Sequence, residues 1–161
     1  MGSKFHHGAP FSRAVEEGLL DPKRTIQIGI RGTVNDMDLW KFSHDSGMRV
    51  MYMEELYKIG VEKAIEEARR VVGDGPVYIS FDIDSLDPAF APGTGTPEVG
   101  GITSLEAQLL IRGCQGLDII GADMVEVAPS FDPSGSTAMV GANMLFELLC
   151  IVSEAHVRRR A

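Results

Sequence analysis

The chain has 161 residues, 44% of them hydrophobic and 24% charged, which excludes a disordered, collagen-like or coiled-coil polypeptide and fits one domain over residues 1–161. Fifteen Lys and Arg against 23 Asp and Glu leave a formal charge of −8. That balance argues against nucleic acid or an anionic membrane surface as partner and mildly favours a small cationic molecule.

In chain order, a helix is expected from Pro10, which suits a first turn, to Glu17, with Gly18 as its stop. Residues 25–30 alternate and are rich in β-branched side chains, so they form a strand. Residues 35–46 are weakly helical, with Trp40 and Phe42 available for packing, and a shorter strand follows at 49–53. Over 61–72, Val61, Ala64, Ile65, Ala68, Val71 and Val72 share one helical stripe. Gly73-Asp74-Gly75-Pro76 stops that helix, and residues 77–82 make a strand. Thr103 with Glu106 three residues on is a capping box. A strand at 119–127 and a helix from about Ser136 complete the pattern. Strands alternating with helices predict βαβ units, hence an α/β fold around a parallel sheet covered on both faces.

Cys114 and Cys150 lie in apolar segments without metal-ligand spacing and read as free thiols in a reducing compartment, with one buried disulfide as the alternative. No apolar run follows Met1, and His6 breaks a myristoylation pattern, so neither a secretory leader nor a lipid anchor is expected. The most apolar stretch, 138–152, is too short to span a bilayer and reads as a buried helix. A soluble, cytoplasmic protein is therefore expected. Met48, Met51, Met53, Met139 and Met144 fall at strand or helix spacing and are assigned to the core.

Chemistry concentrates in Ser80-Phe81-Asp82-Ile83-Asp84-Ser85-Leu86-Asp87-Pro88. On a strand, Asp82 and Asp84 would point the same way, at the carboxyl end where α/β sheets bind ligands. Two adjacent carboxylates repel unless protons or cations intervene, and hard divalent cations meet that need with oxygen ligands. Half of a metal site and a loop of turn-capping aspartates are equally compatible with the spacing, and Asp87 before Pro88 suits the second role. The rigid segment 91–97 follows, either a substrate wall or a plain turn. Glu126 ends an apolar strand, where an acid needs a partner. That partner is either a structural salt bridge or a cationic substrate. His7, in a terminal histidine pair, is by itself a solvated side chain.

Together these segments resemble the arginase/agmatinase superfamily of ureohydrolases, most closely its agmatinase and guanidinobutyrase branch, over about residues 3–155. The resemblance rests on His7-Gly8-Ala9-Pro10-Phe11, Ile26-Gln27-Ile28-Gly29-Ile30-Arg31-Gly32, Ser80 through Pro88 and Pro92-Gly93-Thr94-Gly95-Thr96-Pro97. Val125-Glu126-Val127 and Asp132-Pro133-Ser134-Gly135-Ser136-Thr137-Ala138 extend it. It implies a parallel-sheet, three-layer α/β/α fold of the arginase type, and hydrolysis of a small cationic guanidino compound to urea with two Mn²⁺ ions. It also implies an oligomer for the full-length form. By residue, it makes Asp82 and Asp84 metal ligands, His7 a proton shuttle, Glu126 the carboxylate holding the guanidinium, and Thr96 part of the substrate wall. The family's GGDH and DAHxD segments, which carry the remaining metal ligands, are not found in this sequence. The expectation is therefore a C-terminal portion lacking the first strands, inactive alone and paired with a missing N-terminal half. The alternatives are a non-catalytic fragment or subunit joining ureohydrolase oligomers, and a deacetylase-like hydrolase, against which the SFDIDxLDP and GTGTP strings count.

Overall fold

Pro10 opens α1 (Pro10–Glu16), and Gly18, at φ 72°, stands just beyond its end, as the sequence requires. The computed structural model describes residues 4–34 and 38–160. Within them β1 (Ile26–Ile30), α2 (Lys41–Ser46), β2 (Arg49–Tyr52) and α3 (Met53–Val72) follow. Then come β3 (Val77–Asp82), α4 (Ser104–Gly113), β4 (Ile119–Val125) and α5 (Ser136–Arg158). Part of the weakly helical stretch expected from residue 35 lies outside the described residues; α2 is its helical part. α3 begins at Met53, directly after β2, eight residues before the apolar stripe signals a helix. Gly60, at φ 82° and ψ 165°, breaks it internally and hides its first two turns from a periodicity reading. Thr103 caps α4 as expected. Its hydroxyl accepts the Glu106 N–H, and the Glu106 carboxylate accepts the Thr103 N–H at 2.7 Å.

Pairing is parallel, as expected, but it divides into two ladders, β1 with β2 and β3 with β4. Side chains link the ladders at both ends. Before β1, Arg24 donates through Nε to the Val72 carbonyl at the end of α3, 2.8 Å, and through Nη2 to the Pro76 carbonyl just ahead of β3, 3.5 Å; after β1, Arg31 donates to the Asp84 carbonyl at 2.6 Å. The core gathers Met51, Ile83, Leu86, Ile119, Met144 and Leu148, all fully buried. Val77, Ile79 and Phe81 pack against it, whereas Tyr78 and Ser80 on the opposite face of β3 are exposed. The expectation of a sheet covered on both faces is thus not met at β3 among the described residues.

α5 corrects a second expectation. Its 23 residues are long and apolar enough to cross a bilayer by length and composition, and it is not buried all round. Thr137, Gly141, Met144, Leu148, Ile151 and Ala155 form the buried stripe. Met139, Leu145, Phe146 and Leu149 are exposed, so Met139 is not a core residue. The other four assigned methionines are buried. Arg112 pairs with Glu147, fixing α4 to α5 through a charged contact. Both cysteines are free thiols, Cys150 exposed and Cys114 half-buried.

Candidate active site

β3 delivers Asp82 to its carboxyl end, and the chain then tightens into a 3-10 turn, Ile83–Ser85. Asp84 therefore does not continue the strand alternation that would place it beside Asp82. The two meet because Asp82 caps the turn: the Asp84 N–H donates to Asp82 Oδ1 at 3.0 Å. Both readings of the sequence hold at once, since the turn-capping contact is what assembles the acidic pair. Burial, with the charges of Asp84 and Glu126 nearby, pushes the Asp82 carboxyl up to about 7. Without a cation, this position resists carrying its charge at neutral pH.

Segment 91–97 is structured, as expected. Gly93 N–H donates to Thr137 Oγ1 at 2.8 Å, the Gly93 carbonyl accepts from Ala128 N–H at 2.9 Å, and Thr94 bridges to Val127. These contacts fasten the loop between the start of α5 and the residues after β4. Its far end brings Thr96 Oγ1 to Asp84 Oδ2 at 3.1 Å. Gly95 lies beside Glu126, such that a Cβ there would stand 3.8 Å from Glu126 Oε2.

β4 pairs Val125 with Asp82, which puts Glu126 one residue beyond the end of the ladder. Glu126 has φ 65°, the left-handed region that a residue with a Cβ enters only at a cost. It is exposed, and its carboxylate has no hydrogen bond or ion pair among the described residues. The structural salt bridge weighed for it is therefore not formed within them. His7 is exposed, and its ring neighbour is His6, with centroids 6.3 Å apart. No hydrogen bond among the described residues joins it to the carboxylates.

Two supporting aspartates frame the cluster. Asp87, anticipated as a turn cap, accepts from the Ala89, Gly100 and Gly101 N–H groups, foremost Ala89, which holds its carboxyl below the usual range. Asp132, to which sequence reasoning gave no role, accepts from Ala138 N–H at 2.9 Å and from the Ser134 and Ser136 hydroxyls. Its signal was legible: a buried-motif Asp two and four residues before serines at a helix start. Arg31 was also missed as a participant, because its partners lie 53 to 67 residues away.

A hard divalent cation suits what is present. Asp82, Asp84 and Thr96 offer oxygen donors only, and the acidic pair needs a positive charge. Among the described residues no group of three or more His, Cys, Asp or Glu side chains is arranged to hold a metal, so these residues fit as part of a ligand set.

The fold is α/β with parallel ladders that carry an acidic cluster at the strand ends, and over residues 1–150 the chain matches the arginase family, to which it belongs. Among its relatives, the guanidinopropionase of Pseudomonas aeruginosa is 62% identical across 96% of this chain and 48% of its own length. The mitochondrial agmatinase of Gallus gallus is 55% identical across 94% of the chain and 45% of its own. The solved proclavaminate amidino hydrolase of Streptomyces clavuligerus superposes with a TM-score of 0.91 at 41% identity, covering 97% of this chain and 52% of that one. The chain spans about half the length of the curated relatives it matches.

Proposed function

We propose that this chain contributes the C-terminal share of a Mn²⁺-dependent amidinohydrolase site that splits a small cationic guanidino compound, agmatine or a guanidino acid, into urea and an amine. The observation that carries the proposal is Glu126: a carboxylate unpaired among the described residues and held at φ 65°, one residue past the partner of Asp82. A carboxylate so placed can accept two N–H bonds from a planar guanidinium, a charge-assisted, bidentate contact. Thr96 forms the adjoining wall, and Asp82 and Asp84 hold metal. The metal, when bound, supplies Lewis acidity and a nucleophilic water at neutral pH. Water adds at the guanidinium carbon, the bond from that carbon to the alkyl nitrogen breaks, and the nitrogen leaves as amine after gaining a proton. His7 is assigned to deliver that proton, which requires its segment to approach the site in the assembled enzyme.

The remaining ligands come from a family N-terminal portion, and the assembled protein is a cytoplasmic homo-oligomer. A second reading, a non-catalytic subunit, is favoured by the incomplete ligand set among the described residues. Urea release decides between them. The purified 161-residue chain is assayed with agmatine and with 4-guanidinobutanoate in the presence of Mn²⁺, alone and after co-expression with a family N-terminal portion. Activity only in the co-expressed sample supports the proposal. Silence in both, with the two chains associated, supports the subunit reading. Turnover by the chain alone refutes the partial-site assignment.

A further inference from the structure

Arg31 follows β1 directly and reaches over to the acidic turn. Its Nη2 donates to the carbonyls of Asp84 at 2.6 Å, Glu98 at 2.7 Å and Leu86 at 3.3 Å. It forms no ion pair among the described residues, and its Nε is buried without an acceptor. The charge of Asp87 acts on it from a distance, and taking a guanidinium partly out of water with no carboxylate in direct contact is costly. The three carbonyls offset that cost, and they belong to the two loops that carry Asp84 and Thr96. The neighbouring residues close the same contact from the other side. Gly32, at φ 95°, packs so tightly that a Cβ would stand 2.9 Å from Glu98 Cγ, and the Thr33 N–H faces Glu98 Oε2 at 3.5 Å. Because β1 shares no ladder with β3, these side-chain contacts hold the end of β1 against the acidic turn.

We infer that Arg31 is a positioning residue, whose guanidinium clasps the turn of Asp84 to the loop of Thr96 and so keeps the Asp84 carboxylate in the place from which it holds metal. The inference rests on the proposed role of Asp84. Lysine cannot substitute in full, because its ammonium nitrogen ends one bond short of the Nη2 that makes all three contacts and is more strongly hydrated than a guanidinium.

The test compares the parent chain with Arg31→Met and Arg31→Lys by amide hydrogen exchange and by titration with Mn²⁺ alone, followed by electron paramagnetic resonance. The Asp84 amide, bonded to Asp82 Oδ1, and the Asp87 amide, bonded to the Ile102 carbonyl, report on the turn. The capped Glu106 amide and the amides of α5 report on the rest. In both variants, exchange at Asp84 and Asp87 should accelerate by about tenfold or more, the effect of losing one charged hydrogen bond. Exchange at Glu106 and in α5 should not change. Mn²⁺ affinity should fall roughly 10–100-fold, as for groups that support a metal ligand. Unchanged exchange at Asp84, uniform acceleration throughout the chain, or full recovery by lysine overturns the inference. So does local acceleration with undiminished Mn²⁺ affinity, which would leave Arg31 a purely structural clasp. Where the lone parent chain binds no Mn²⁺, the titration is read on the chain co-expressed with a family N-terminal portion, absence of Mn²⁺ there counts against the metal assignment, and the exchange comparison still decides whether Arg31 fixes the turn.

Discussion

Replacing Asp82 by Asn should make the metal-free chain more stable at pH 8 while removing its ability to bind metal. Burial and the nearby charges raise the Asp82 carboxyl from its ordinary 3.8 to about 7. Carrying the charge at high pH is therefore worth ~4 kcal/mol against the folded state, and solvent access to the carboxylate screens this to ~2 kcal/mol. The raised value means that the folded state binds the proton more tightly than the unfolded one. Its contribution to stability is complete below about pH 4 and is lost as pH rises through about 7. Asparagine keeps an oxygen that can accept the Asp84 N–H and carries no charge at any pH, so its stability lacks this dependence. At about 2–4 °C per kcal/mol for a chain of this size, the variant should melt ~4–8 °C above the parent at pH 8. The two should coincide near pH 4. Thermal unfolding by circular dichroism in the presence of a chelator measures both. A variant no more stable than the parent at pH 8, or a difference that does not vary with pH, would refute the reasoning. Added Mn²⁺ should raise the melting point of the parent only.

Three further outcomes are expected. Asp84→Ala should weaken Mn²⁺ binding by more than the roughly 10–100-fold typical of removing a group that merely supports a ligand, as measured by metal analysis of the co-expressed protein; equal metal content would remove Asp84 from the ligand set. Glu126→Gly should stabilise the chain by ~1 kcal/mol by relieving the left-handed backbone and abolish urea release with metal retained, checked by urea denaturation and turnover. Thr103→Ala should cost ~1 kcal/mol, seen in the denaturation midpoint, without altering metal binding, because among the described residues the side chains of the capping box bond only to each other's backbone and to neither Asp82 nor Asp84.

The local elements were legible where chemistry is local. Pro10, the Thr103–Glu106 box and the β-branched run before Asp82 each settle their own neighbourhood within a few residues. Met53–Ile59 escaped because Gly60 interrupts the helical period and because Met53 also suits the end of a strand. The pairing of Asp82 with Asp84 was foreseen on an incorrect geometric ground: a strand alternation was expected, and an Asp cap on a 3-10 turn does the work. The exposed side of α5 could not be read from composition, since apolar residues occur on both its faces and periodicity alone cannot say which is covered. Arg31 was invisible for a different reason. Its meaning lies in three carbonyls, groups that every residue possesses and no sequence advertises.

The division of the strands into two ladders also bears on cooperativity. Hydrogen bonds propagate order within β1–β2 and within β3–β4, whereas the crossing between them depends on Arg24, Arg31 and the packing of α3. Such an arrangement gives each ladder its own opening free energy, the behaviour of two foldons within one chain. Together with the turn after β3 and the α5 it packs on, the β3–β4 unit includes Ile83, Leu86, Ile119, Met144 and Leu148, all fully buried, and should open last. The acidic turn belongs to that unit, while the guanidinium that fastens it belongs to the other. Each transient release of β1 thus frees the carboxylates without unfolding the strand that bears them.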